Sequence, residues 1–145
     1  RGVQRARLRG ASGHHRPVRV LITGAGGFAG RHLAAASEAA GDDVIGISRS
    51  TGVDLRDAAA ARKAVARAGP DAVYHLAARA HVGESWRDPA GTLHENVAMT
   101  VNVLEAVRAE APDAVVVGPD GIVQGFYPGP WTGLDAAAIP SYTGP

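Results

Sequence analysis

Three glycines at three-residue spacing, Gly24, Gly27 and Gly30, are the feature of this sequence that points most directly to a ligand. They follow the apolar run Val18-Arg19-Val20-Leu21-Ile22-Thr23 and lead into Arg31–Ala40, which is rich in good helix formers and ends at Gly41. A strand that turns on glycines into a helix offers unpaired N–H groups and the positive end of the helix dipole to an anion. In that setting Gly24 permits the tight turn, Gly27 lets the backbone approach a pyrophosphate with no Cβ in the way, and Gly30 lets the helix pack close to the strand. The expected ligand is a dinucleotide. The absence of a Gly-Lys-Ser/Thr segment excludes a nucleoside triphosphate loop. A glycine-rich connector without a ligand is the plainer alternative.

The end of the second strand should lie beside the adenosine ribose, where an acid favours a free 2′-hydroxyl and an arginine accepts a 2′-phosphate. Ser48, Arg49, Ser50 and Thr51 stand there and include no acid, so NADP is expected over NAD, with Arg49 on the phosphate. The alternative for Arg49 is an exposed strand-end charge. Other chemistries find little support. There is no cysteine, which removes disulfides, thiolate metal sites and a cysteine nucleophile together. The six histidines (His14, His15, His32, His75, His81, His94) show no ligand spacing supported by carboxylates, so no metal is expected. Of the 15 Lys+Arg residues only Lys63 is a lysine, so any lysine-dependent mechanism must use it.

The elements that must position these residues alternate. Strands are expected at 18–23, 43–48, 52–55 (brief), 71–78 and 114–117, and helices at 31–40, from the cap Asp57 to Ala68, and from residue 90 or 92 to about 111. In the last helix Leu93, Val97, Val101, Leu104 and Val107 recur at three- and four-residue steps and mark the expected buried face; residues 79–89 read as a loop. Strands alternating with helices require crossovers, hence a parallel sheet covered on both faces. A length of 145 residues allows one domain. Within it, 1–17 reads as a basic, solvated arm, 18–117 as the ordered domain, and 118–145 as an irregular Gly/Pro-rich tail anchored at most by Phe126, Tyr127 and Trp131. The arm lacks stacking aromatics, so nucleic-acid binding ranks last. No apolar run reaches a membrane span, and a cytoplasmic location is expected.

Several segments in register carry a family likeness. Thr23-Gly24-x-x-Gly27-x-x-Gly30, Val53-Asp54-Leu55-Arg56-Asp57, His75-Leu76-Ala77-Ala78, and His81-Val82-Gly83-Glu84-Ser85-Trp86-x-Asp88-Pro89 with Asn96 and Asn102-Val103-Leu104-Glu105-Ala106 resemble the extended short-chain dehydrogenase/reductases. Among these the sequence looks most like the nucleotide-sugar epimerases and 4,6-dehydratases, GDP-mannose 4,6-dehydratase above all. The resemblance implies a doubly wound, Rossmann-type α/β sheet in the order 3-2-1-4-5, a nicotinamide dinucleotide and a nucleotide-sugar substrate. It implies that Gly24, Gly27, Phe28, Ala29 and Gly30 hold the pyrophosphate, that Asp54 accepts from the adenine amino group while the Leu55 backbone reads the same edge, and that Leu76, Ala77 and Ala78 line the ribose and nicotinamide. Asn96 would brace the neighbouring strand. His75 reads as a satisfied strand-end histidine, and His81 and Ser85 either face the sugar nucleotide or are loop polar residues without a role.

The family's Tyr-x-x-x-Lys pair, in which the ammonium lowers the tyrosine pKa for proton transfer, has no counterpart. Four residues after Tyr74 stands Ala78 and after Tyr127 stands Trp131, while Tyr142 is too near the end. Where the family's serine would follow Val115-Val116-Val117, the sequence reads Gly118-Pro119-Asp120-Gly121. Loss of motif and change of composition coincide there, as expected for a chain truncated after about the fifth strand or shifted in frame. The expectation is a dinucleotide-binding portion inactive alone, with a non-catalytic dinucleotide-sensing module as the alternative.

Overall fold

Each strand is short, and three of the four described are rich in β-branched residues, as suits strands covered on both faces. The computed structural model describes residues 17–118; the basic arm before Pro17 and the Gly/Pro-rich tail from residue 119, with Phe126, Tyr127 and Trp131, lie outside the described residues. The elements are β1 (Arg19–Thr23), α1 (Phe28–Ala40), β2 (Asp43–Ile47), a 3-10 turn (Arg49–Thr51), α2 (Ala58–Ala68), β3 (Ala72–His75), α3 (Val82–Arg87), α4 (Pro89–Glu110) and β4 (Val115–Val117). All strand pairings are parallel and the order is β2-β1-β3-β4. The chain steps outward from β1 to β2, then crosses back over β1 to β3. With right-handed crossovers that reversal puts α1 on one face and α2 and α4 on the other. It also opens a crevice at the carboxyl ends of β1 and β3.

The core lies between the sheet and the α2–α4 pair. Leu21, Val73 and Val116 from neighbouring strands meet Ala61, Val65 and Ala68 of α2 and Val103, Ala106 and Val107 of α4, all buried. Local signals set the helix ends: Asp57 accepts from the Ala59 and Ala60 amides at the start of α2, while Gly41 and Gly69 close α1 and α2 in the left-handed conformation.

Four features differ from the sequence reading. The brief strand at 52–55 does not form. The Ser48 and Thr51 side chains cap the 3-10 turn reciprocally, the Val53 N–H returns to the Ser48 carbonyl, and the Asp57 N–H bonds the Asp54 carbonyl. A chain folded back on itself in this way cannot run along β2, so the described sheet has the expected order without its outermost strand. α1 begins at Phe28 rather than Arg31, which makes Phe28, Ala29 and Gly30 its first turn. The stretch read as a loop contains α3, and α4 starts earlier, at Pro89, with Asp88 accepting from the Gly91 amide.

The fourth difference is the face of α4. It buries Thr92, Val103, Ala106 and Val107, and leaves Leu93, Val97 and Val101 exposed at 65%, 52% and 49%. Residues four apart drift around a helix of 3.6 residues per turn, so the expected stripe covers more than one side. Packing against the small residues of α2 selects the inward one.

Candidate functional site

The glycine turn is built by close approach. Gly24 has φ +71°, and a Cβ there would sit 2.8–2.9 Å from the Leu76–Ala77 peptide. A Cβ on Gly30 would press on the Gly24 carbonyl and come within 2.7 Å of the Ala25 Cα. The Gly24 and Ala25 amides both donate to the Ile47 carbonyl (2.9 and 3.2 Å), which ties the turn to the end of β2. Gly46 belongs to the same packing and was not singled out by its sequence, since a Cβ there would lie 2.8 Å from the Ala25 methyl. The Gly27 N–H closes the turn on the Gly24 carbonyl at 2.9 Å, and the first bond of α1 runs from Arg31 to the Gly27 carbonyl at 3.1 Å. The amides of Phe28, Ala29 and Gly30 therefore precede the helix ladder, where an anion would meet them together with the helix dipole.

Opposite this turn the crevice is lined by the ends of β2 and β3 and by α4. Of the residues expected at the site, Gly24, Gly27, Arg49, Asp54, Leu55, Leu76, Ala77 and Ala78 share one cleft. Phe28, Ala29 and Gly30 stand at the start of α1 and do not line it; the Phe28 ring is exposed and meets His32 edge-on, 4.7 Å between centroids. His81 sits at the start of α3, and neither it nor Ser85 lines the cleft. Ser48, Val53, Arg56, Arg79, Glu95 and Met99 also line it. Only tertiary contact could reveal the last three, because α4 and the loop after β3 reach the cleft through folding.

Charge around the cleft is largely paired. The Arg56 guanidinium grips both Asp54 oxygens (Nε 3.0 and 3.1 Å, Nη2 2.6 Å), and the Arg56 amide adds a 3.0 Å bond to Oδ1. These hydrogen bonds, the side-chain ones first, hold the Asp54 carboxyl down from 3.8 to about 2. Arg56 also reaches Glu95 at 3.7 Å. Arg79 is surrounded by Glu95 (3.3 Å), Glu84 and Asp88 (both 3.6 Å). Arg49, by contrast, forms no salt bridge among the described residues, and its charge makes only the smallest contribution to lowering Asp54.

The backbone of the wall is held by α4. Asn96 accepts from the Arg79 amide at 2.7 Å and donates to the Arg79 carbonyl at 3.3 Å. Asn102 donates to the Leu55 and Arg56 carbonyls at 2.9 and 3.0 Å. His75 is buried, with Nδ1 2.8 Å from the Thr23 hydroxyl and Nε2 3.2 Å from the Thr100 hydroxyl, and burial pushes its pKa below the ordinary value. The remaining candidates for proton transfer are apart: Tyr74 lies within β3 and Lys63 on the exposed side of α2.

A doubly wound parallel sheet, with a glycine turn after its first strand and a cleft at its switch point, defines the architecture of a dinucleotide-binding domain. Residues 20–119 match the NAD dependent epimerase/dehydratase family, and the chain belongs to that family. It is 33% identical over 121 residues to UDP-glucuronate 4-epimerase 3 of Arabidopsis thaliana, an alignment covering 68% of this chain and 28% of the relative. To GDP-6-deoxy-D-mannose reductase of Pseudomonas aeruginosa it is 37% identical over 91 residues, covering 63% and 30%. The crystal structure of UDP-glucose 4-epimerase from Thermus thermophilus in complex with NAD superposes with a TM-score of 0.59 at 32% identity, covering 63% of this chain and 34% of that one. The chain thus spans under a third of the length of these curated relatives. Among the described residues no helix is long and apolar enough to cross a membrane.

Proposed function

We propose that this chain is the nicotinamide-dinucleotide-binding portion of an enzyme that epimerises or dehydrates nucleotide sugars, and that its cleft prefers NADP to NAD. The observation that carries the cofactor preference is the charge inventory of the cleft. Three guanidinium groups line it; Arg56 and Arg79 are neutralised by carboxylates, and Arg49 forms no salt bridge among the described residues. A 2′-phosphate placed at the end of β2 meets that uncommitted cation next to the Ser48 and Ser50 hydroxyls, with no acid in residues 48–51 to repel it.

The residues fit the group. Gly24 and Gly30 stand where a Cβ would collide with the Leu76–Ala77 peptide and with the turn's own backbone, which keeps the turn tight, and the amides of Phe28, Ala29 and Gly30 would bond the pyrophosphate oxygens. Asp54, ionised through the neutral range, would accept from the adenine amino group, and the Leu55 backbone would read the same edge. Leu76, Ala77 and Ala78 would flank the ribose and nicotinamide. When bound, the nicotinamide takes or gives a hydride. The chain's own part is to hold and orient, because no tyrosine in it is followed four residues on by a lysine. This chain alone should therefore bind cofactor and leave a sugar nucleotide unchanged.

For the substrate, relatives that act on both UDP- and GDP-linked sugars support a nucleotide sugar. The motifs between Thr23 and Ala106 together look most like the GDP-mannose 4,6-dehydratases, so GDP-mannose is the sugar nucleotide to assay first; its dehydration by this chain alone would overturn the binding-only reading. Titration calorimetry tests the cofactor reading. NADPH should bind more tightly than NADH, and Arg49→Ala should weaken NADPH by about tenfold, as loss of one charge-assisted contact implies, while leaving NADH within about twofold. Equal NADPH affinity in both proteins would refute the role of Arg49.

A further inference from the structure

The hydrogen bonds around His75 have a direction. The Thr100 hydroxyl donates to the Asn96 carbonyl one turn earlier on α4 at 2.9 Å, so its oxygen is left to accept, and the donor facing it is the His75 Nε2–H. That proton places His75 in the Nε2–H tautomer and leaves Nδ1 bare. The Thr23 hydroxyl must then donate to Nδ1, which turns its oxygen toward the Ala77 N–H, the 3.2 Å donor on its other side. The line runs from the Asn96 carbonyl through Thr100, His75 and Thr23 to the Ala77 amide, with every donor matched to an acceptor. Its last member is the peptide packed against Gly24, where even a Cβ would come within 2.9 Å.

We propose that His75, fixed as the Nε2–H tautomer by Thr100, is a positioning residue that seats the Leu76–Ala77 peptide on Gly24 and so sets the spacing between the two walls of the cleft. A merely space-filling histidine at this strand end would need neither a defined tautomer nor the Thr23 hydroxyl. The consequence for affinity rests on the dinucleotide reading above; the hydrogen-bond geometry does not.

Two kinds of measurement on the full 145-residue chain test this. Nitrogen-15 NMR of the imidazole rings should show His75 with a protonated Nε2 and a bare Nδ1; a protonated Nδ1, or rapid exchange between tautomers, overturns the proposal without any mutation. Substitution then separates position from bulk. His75→Asn puts an amide oxygen near the place of Nδ1, whereas His75→Leu fills the space with no acceptor. Hydrogen exchange at the Ala77 amide, and the NADPH dissociation constant, should rise about tenfold in His75→Leu, the size of one buried hydrogen bond lost, and return to within about threefold in His75→Asn. Equal effects of the two variants, or no effect of either, would refute positioning. If the wild-type chain bound neither NADPH nor NADH, the dinucleotide reading would fall, and the ring spectrum with the Ala77 exchange would still decide the role of His75.

Discussion

The two walls of the cleft are made by different means. On the side of β1 and α1, shape comes from what is missing: Gly24, Gly30 and Gly46 stand where a Cβ would strike backbone or a methyl group, and the turn is held by backbone bonds to Ile47. On the side of β3 and the Asp54–Arg56 turn, shape comes from side chains, with Asn96, Thr100 and Asn102 of α4 reaching across to hold Arg79, His75, Leu55 and Arg56. A wall built of steric exclusion tolerates no addition. A wall built of hydrogen bonds tolerates substitution wherever the new group supplies the same donor or acceptor.

Substitutions on the two sides should therefore differ in size and in whether they can be rescued. The largest effect is expected from Gly30→Ala, since its Cβ would meet the backbone at Gly24 and Ala25 and no flexible side chain is there to move. A loss on the order of 3 kcal/mol follows from overpacking of this kind, read from urea unfolding. A loss below about 0.5 kcal/mol, the range of neutral surface changes, would show that the turn relaxes and would erase the contrast. On the other wall, Asn102→Ala removes the donor of the Leu55 and Arg56 carbonyls, the second of them at an exposed residue; a loss of about 1 kcal/mol is expected. Asn102→Asp keeps the shape but offers no N–H, so it should be no better than alanine, and near-wild-type stability in the aspartate variant would sink the hydrogen-bond account.

Titration sharpens the comparison further. Burial lowers the native pKa of His75 from its ordinary 6.5, so the unfolded chain binds the proton more readily and stability rises with pH. The His75 contribution is complete above about pH 6.5 and declines as the pH falls below that value toward the native pKa. Urea midpoints measured between pH 7.5 and about 5 should fall for the wild type and fall less for His75→Asn; parallel curves would contradict it. Asp54, held down to about 2 by Arg56, adds stability above its ordinary 3.8 and loses it as the pH falls from there toward 2. This is the smallest effect, because the pair is exposed and screened by solvent, and Arg56→Gln should remove it along with its salt dependence.

The glycine wall was legible because its information is local. Gly24-x-x-Gly27-x-x-Gly30 between an apolar run and a helix-forming run identifies the turn, and Asp57, Gly41 and Gly69 mark helix ends through bonds to residues two to four positions away. The hydrogen-bonded wall was only partly legible. Asn96 and His75 stood out through resemblance, but nothing in the spacing shows that Asn102 reaches residues 47 and 46 positions earlier, or that Arg56 folds back onto Asp54. Gly52-Val53-Asp54-Leu55 reads as a strand for a similar reason. Its apolar residues suit β structure, but the 3-10 turn and the Asp54–Asp57 turn win once the Leu55 side chain is buried in the core.

By itself the sequence determined the parallel α/β plan, the glycine turn after the first strand and the absence of a Tyr-x-x-x-Lys pair among these 145 residues. Those are properties of residue type and short spacing, set by backbone sterics and hydrophobic period. Tertiary structure alone decided the inward face of α4, the pairing that leaves Arg49 without a salt bridge among the described residues, and the hydroxyls that face the two ring nitrogens of His75. Each of these depends on partners brought together from distant parts of the chain, and a side chain's charge balance or proton position exists only once its neighbours are in place.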